Sequence, residues 1–162
     1  NRGVAGSWNL GIERARAEQS DWLVIMSAAC RFGSAGGLDF IAELTVDRDI
    51  VEAWWVGWHL IAFRLDVFDR IGIFDENFWP AYWEDNDFGR RLVLSGQPYP
   101  WVKPKVDVTL TGFAHRVTAG GVIVDTAALA AYYVRKWGGP PSDEGYVTPY
   151  DSGRGLDWWE PR

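Results

Sequence analysis

The chain has few of the residues on which disulfides and zinc centres depend. Its 162 residues include one cysteine, Cys30, and two histidines, His59 and His115. A single cysteine cannot form a disulfide within the chain and favours a reducing compartment, which we expect to be the cytoplasm. Neither histidine stands at zinc-ligand spacing from the other or from Cys30, so the sequence predicts no zinc site.

Basic clusters and long apolar runs are missing as well. The chain carries 16 lysines and arginines against 22 acidic residues, which gives a net charge of −6. Nucleic acid and anionic membranes both require concentrated positive charge, so we expect neither as the main partner. No apolar run approaches the roughly 18 residues of a membrane span, and no transmembrane segment is predicted. The first residue is Asn1 rather than methionine, which indicates a fragment or a processed product.

Aromatic residues, in contrast, are abundant, with 11 tryptophans and 6 tyrosines. Such side chains combine an apolar ring with a polar atom, which suits a sugar-binding surface, and packing in the core is the alternative. The apolar fraction of 48% and the chain length fit one globular domain.

The order of apolar and turn-forming residues predicts alternating helices and strands. Helices are predicted over residues 5–19, 38–46, 64–71, 83–95 and 126–137, and strands over residues 22–26, 59–63 and 106–110. The continuous apolar run at residues 22–26 is typical of a strand covered on both faces, as in a parallel sheet. The alternation indicates a layered α/β fold. The polar residues 142–162, punctuated by glycine and proline, predict an irregular C-terminal tail.

The most informative motif lies at residues 72–92. A turn-forming GIFDENF at residues 72–78 leads through an aromatic loop to YWEDND at residues 82–87 and then to RRL. This stretch resembles the acceptor-side motif of family 2 glycosyltransferases, which are inverting enzymes of the GT-A fold. Three more segments resemble family elements in the family's order: residues 1–12 (NRGVAGSWNLGI), the central strand at 21–26 (DWLVIM) and residues 135–138 (RKWG).

The resemblance implies a fold and a reaction. The fold would be a GT-A-like layered α/β/α domain with a mixed, mainly parallel sheet over residues 1–141, without the N-terminal nucleotide-binding strands. The reaction would transfer a sugar from a nucleotide-sugar donor to a hydroxyl of a glycan or other acceptor, with inversion. Asp85 would be the general base, with Glu84 as its catalytic neighbour. The implied substrate contacts are Trp79, Tyr82, Trp83, Asp75 and Arg116.

The family also implies a divalent cation, Mn²⁺ or Mg²⁺, against the donor diphosphate, with His115 as a metal ligand. Residues 27–30 (SAAC) stand where the family has an acidic metal-binding motif, and hard cations require oxygen ligands that alanine lacks. The family's opening strands would precede Asn1, and a parallel sheet without them would expose an edge through which the chain could self-associate. One alternative is therefore a truncated or degenerate transferase that only binds sugar or protein.

An unrelated aromatic-rich carbohydrate-binding or interaction domain is the other alternative, which a sheet of antiparallel strands alone would favour. Individual residues have simpler explanations too. Acidic residues such as Glu84 and Asp85 are common in a helix's first turn because the helix dipole stabilises them there. Asp75 could cap its own turn. His115 could be a structural, hydrogen-bonded histidine.

Helical spacing adds two expectations for the acidic motif. Asp85 shares one helix face with two apolar residues, three and seven positions later, so its carboxylate is expected to be partly buried. Asp87 and Arg91 are four residues apart, and we expect them to form an ion pair on the helix surface.

Overall fold

The computed structural model of the protein describes residues 2–44, 47–96, 101–111 and 122–159. This part of the chain has a mixed α/β fold. Its helices are α1 (Gly3–Ala17), α2 (Gly36–Ala42), α3 (Asp66–Ile71), α4 (Glu84–Leu94) and α5 (Thr126–Trp137). Its strands are β1 (Trp22–Met26), β2 (Cys30–Phe32), β3 (Ile50–Glu52), β4 (Leu60–Arg64), β5 (Trp101–Val102) and β6 (Val108–Leu110). Within these residues no helix is both long and apolar enough to cross a membrane.

The chain divides into two compact units. The first, here called the helical unit, takes in described residues of the ranges 1–11, 68–97 and 117–162, and it contains α4 and α5. The second, the sheet unit, takes in described residues of the ranges 12–67 and 98–116, and it contains the six strands. The tail predicted over residues 142–162 contributes its described part to the helical unit and includes a short 3-10 helix, Pro149–Asp151.

The strands of the sheet unit form a four-stranded sheet in the order β1-β4-β3-β5 and a two-stranded sheet of β2 and β6. The pairs β1–β4, β3–β4 and β2–β6 are antiparallel, and β3–β5 is parallel. The prediction of a mainly parallel sheet is therefore wrong. The apolar run of β1 is not covered on both faces either, because Val24 and Met26 are 45% and 50% exposed. An apolar run also carries no information on the direction of a strand. Here the most buried strand is β4, in which Leu60 to Phe63 are 0% exposed, whereas β1 lies at the sheet's edge.

The core of the sheet unit forms around β3 and β4. Val51 of β3 and Ala62 of β4 lie opposite each other in the sheet. Both belong to the buried cluster that includes Phe40 of α2. Cys30 is also buried in this cluster, and its thiol donates to the His59 carbonyl at 3.1 Å. Burial raises the pKa of the Cys30 thiol. Cys30 is therefore a small core residue, as its sequence context indicates.

The helical unit has an aromatic core. Phe78 packs with one face of α5, whose buried apolar residues are Leu129, Tyr133 and Trp137. The carboxylate of Asp125 accepts a hydrogen bond from the Ala128 N–H and so caps the start of α5. Gly138, with φ 74°, ends the helix in a left-handed conformation that glycine adopts without strain. The predicted bounds of this helix, residues 126–137, are confirmed.

Candidate functional site

The loop between α3 and α4 carries most of the residues that the sequence motif singles out. Its anchor is Phe74, which is 0% exposed and stacks on Phe88 of α4 with ring centroids 4.5 Å apart. Trp8 of α1 also packs on Phe74, edge to face, with ring centroids 4.8 Å apart. Aromatic packing thus fixes the start of the loop against α4 and against the part of α1 that belongs to the helical unit.

One face of α1 fits this loop closely. Gly3, Gly6 and Asn9 are spaced three residues apart, so they lie on the same side of the helix. The Asn9 amide donates to the Phe74 carbonyl and to a Glu76 carboxylate oxygen, both at 2.9 Å, and its oxygen accepts from the Phe74 N–H at 2.9 Å. The asparagine and glycines of the N-terminal segment are therefore explained by packing on the motif loop.

Asp75 is an internal residue of this unit. It is 0% exposed, and its Oδ1 accepts from the Asn77 N–H at 2.9 Å, which makes it the cap of its own turn. Its Oδ2 accepts from the Tyr132 hydroxyl at 2.7 Å and from the Lys136 ammonium at 2.9 Å. Burial, together with the Asp75 charge, raises the pKa of Tyr132, so its hydroxyl remains a donor. The carboxylate of Asp75 thus serves the fold directly.

A buried charge network joins α4 to α5. The Lys136 ammonium lies 2.6 Å from Asp87 Oδ1 and 2.9 Å from Asp75 Oδ2, and Arg91 lies 2.9 Å from Asp87 Oδ2, with all four side chains 0% exposed. Burial alone would raise the pKa of the Asp87 carboxyl, but the charges of Lys136 and Arg91 hold it below its ordinary value. The expectation of a surface Asp87–Arg91 pair is wrong, because Lys136 comes from a helix distant in the sequence and encloses the pair.

The two motif carboxylates at the start of α4 have different environments. Glu84 is 6% exposed, and its Oε2 is buried without a hydrogen-bond partner in the described part of the chain. Burial, aided by the neighbouring Asp85 charge, raises the pKa of Glu84 to about 7, although backbone N–H groups oppose the shift. Asp85 is half-buried, and its Oδ1 accepts from the Asn86 N–H at 2.9 Å. Asp85 is thus the more open of the two, as a proton acceptor for a substrate must be.

The residues before α4 are held in an uncommon backbone conformation. Tyr82 and Trp83 have φ of 80° and 75°, in the left-handed region that bulky residues rarely adopt. Trp83 lies against Tyr133 with ring centroids 5.4 Å apart, which fixes its side chain at the core. Tyr82 and Trp79 remain open to solvent, with 43% and 37% of their surface exposed. Of the predicted aromatic contacts, these two are available to a ligand.

The described residues do not fit a divalent cation. No group of three or more histidine, cysteine, aspartate or glutamate side chains in the described ranges could hold one. The turn that follows β1 carries no carboxylate, and the Ser27 hydroxyl already accepts from the Ala29 N–H at 3.2 Å. His115 and Arg116, the predicted metal ligand and phosphate contact, lie outside the described residues.

Comparison with models of known protein families found none that matches this chain, and comparison with curated proteins found no match. The case for a function therefore rests on the motif and on the geometry around it.

Proposed function

We propose that this protein takes part in glycosyl transfer with inversion, from a nucleotide-sugar donor to an acceptor hydroxyl, in the cytoplasm. The observation that supports this most is the start of α4. There a half-buried carboxylate, Asp85, follows a buried one, Glu84, which lies two residues after the exposed Tyr82. Residues held in rare backbone conformations, like Tyr82 and Trp83, cluster at ligand and active sites.

In the proposed reaction, Asp85 accepts the proton of the acceptor hydroxyl as its oxygen attacks the anomeric carbon. The bond from that carbon to the diphosphate oxygen breaks, and the nucleoside diphosphate leaves with the bonding electrons. Glu84, whose pKa is raised to about 7, is largely protonated at slightly acidic pH. Protonation of Glu84 then removes its negative charge from beside Asp85. We assign no step to a metal ion, because the described residues do not fit one.

The test is release of nucleoside diphosphate from UDP-, GDP- and dTDP-sugars in the presence of a panel of glycan acceptors, with Mn²⁺ and Mg²⁺ supplied. We expect Asp85→Asn to reduce turnover by at least about a hundredfold, as loss of a general base does. Asp69→Asn, at an exposed position of α3, is the matched control and should retain full turnover. Equal turnover in the wild type and the Asp85→Asn variant would show that Asp85 is not the general base.

A second candidate function is sugar or protein binding without catalysis. It is favoured by the turn after β1, which offers no carboxylate to a donor-bound cation. If this function is correct, the protein will bind sugars but release no nucleoside diphosphate from any donor. The same turnover assay, run beside a binding measurement, separates the two functions.

A further inference from the structure

The helical unit contains a pocket of about 390 Å³, lined by Arg2, Asn9, Ile73, Glu76, Asn77, Trp79 and Trp159. The pocket shares Trp79 with the aromatic contacts described above, but Asp85 and Tyr82 are not among its lining residues. Its volume lies within the range of sites that enclose small ligands. From its lining we propose that it is a binding site for a neutral sugar unit.

The carboxylate wall of the pocket is fixed in place. Glu76 is exposed, yet one of its oxygens accepts from the Asn9 amide at 2.9 Å. A Cβ added at Gly6 would stand 3.3 Å from the other oxygen, so the glycine lets the carboxylate lie against α1. A carboxylate held in this way presents acceptor lone pairs in a defined direction, which pre-organises the site for a donor group of a ligand.

Packing also holds the two tryptophans that line the pocket in place. Trp79 packs at the start of α1, where Gly3 has φ 74° and an added Cβ would stand 2.7 Å from the indole. The Trp159 ring lies 5.3 Å from the Lys136 ammonium, a cation–π contact that ties it to the buried network. Asn77, which also lines the pocket, donates to the Tyr132 hydroxyl at 3.2 Å. Two indoles and a fixed carboxylate thus face one cavity.

The charges of the lining argue for a neutral, hydroxyl-rich ligand. Glu76 supplies a negative group and Arg2 a positive one, so the pocket has no net charge to attract an anion or a cation. The carboxylate only accepts and the guanidinium only donates, and a sugar hydroxyl can satisfy both because it does either. Indole rings cover the apolar C–H face of a sugar ring while its hydroxyls meet the polar groups.

The test is a binding titration of the full chain with glucose, galactose, mannose, N-acetylglucosamine and maltose, followed by ¹⁵N NMR. We expect millimolar binding of at least one sugar, with shifts in the Trp79 indole N–H and the Asn9 side-chain amide signals. Glu76→Gln keeps the acceptor for Asn9 and should weaken binding about tenfold, as loss of a charge-assisted hydrogen bond does. Glu13→Gln, an exposed change elsewhere on α1, should leave the affinity unchanged.

The wild-type NMR shifts give an answer even if a pocket variant fails to fold. Absence of binding by every sugar would overturn the proposal, as would shifts confined to residues outside the pocket. Tighter binding of tetramethylammonium than of any sugar would show a cation site instead and would also overturn it. Asp85→Asn should bind the sugar as the wild type does. Loss of the transfer reaction in that variant would therefore leave the test of the pocket unaffected.

Discussion

Replacing Glu84 with glutamine should change how the stability of the protein depends on pH. Glu84 is 6% exposed and its pKa is raised from 4.5 to about 7. A carboxyl whose pKa is higher in the folded state stabilises that state while it is protonated. The wild type therefore has this contribution in full below pH 4.5 and loses it as the pH rises through 7. Glutamine has a similar shape and no charge at any pH, so the variant does not lose stability at this position as the pH rises.

The size of the effect follows from the two pKa values. Each pKa unit corresponds to about 1.4 kcal/mol, so the step from 4.5 to about 7 corresponds to about 3 kcal/mol. Relative to the wild type, Glu84→Gln should therefore gain about 3 kcal/mol of unfolding free energy between pH 4 and pH 8. Most of that gain should fall above pH 5. Taking the difference between the two proteins cancels the groups that titrate in both.

Urea denaturation at several pH values measures this difference, with the slope of each transition checked for two-state behaviour. Glu13→Gln is the matched control, because Glu13 is exposed and the same substitution there removes no buried carboxyl. A stability difference between Glu84→Gln and the wild type that is constant from pH 4 to pH 8 would refute the burial of the Glu84 carboxyl.

Two further changes test the packing around the site. Lys136→Met leaves two buried carboxylates without their shared cation and should cost about 3 to 5 kcal/mol of unfolding free energy, measured by urea denaturation. Arg14→Ala breaks only an exposed pair with Glu18 and is the control, and an equally small loss in both variants would contradict the buried network. Gly89→Ala should stabilise α4 by about 0.5 to 1 kcal/mol, because a Cβ there meets nothing within 4 Å. Gly3→Ala should lower the thermal midpoint, because an added Cβ would stand 2.7 Å from Trp79, and an unchanged or raised midpoint would argue against the described fit of α1 to its loop.

The sequence was sufficient for the elements that have strong local signals. The strand at residues 22–26 and the helix at residues 126–137 have the bounds that their patterns predict. The strands β2 and β3 were not predicted, because they are three residues long and too short for a periodic pattern. Strand direction also could not be predicted, since it depends on which segments pair across the chain.

In the site, spacing identified contacts more reliably than it identified burial. The four-residue spacing of Asp87 and Arg91 correctly predicts a pair, yet the pair is buried because Lys136 of α5 closes over it. A signal for this was present in the sequence. Lys136 follows Leu129 and Tyr133 at seven and three residues, on the apolar face of α5, where a lysine requires buried partners.

The difference in burial between Glu84 and Asp85 could not be predicted from the sequence either. The helical pattern predicts partial burial of Asp85, and Asp85 is half-buried, but Glu84 is the more deeply buried of the two. Local spacing misses this because Tyr82 and Trp83 enter the helix through left-handed conformations. Such conformations are uncommon for aromatic residues and are not encoded in an apolar pattern.

The most direct test of the proposed function is a thermal-shift titration of this chain with UDP-, GDP- and dTDP-sugars, with and without Mn²⁺. A ligand at about 100 times its dissociation constant adds about 2.7 kcal/mol of stability, which raises the melting temperature measurably. We expect one nucleotide class to raise it, and to do so equally in the wild type and in Asp85→Asn. A cooperative melt that none of these donors shifts would contradict a nucleotide-sugar transferase.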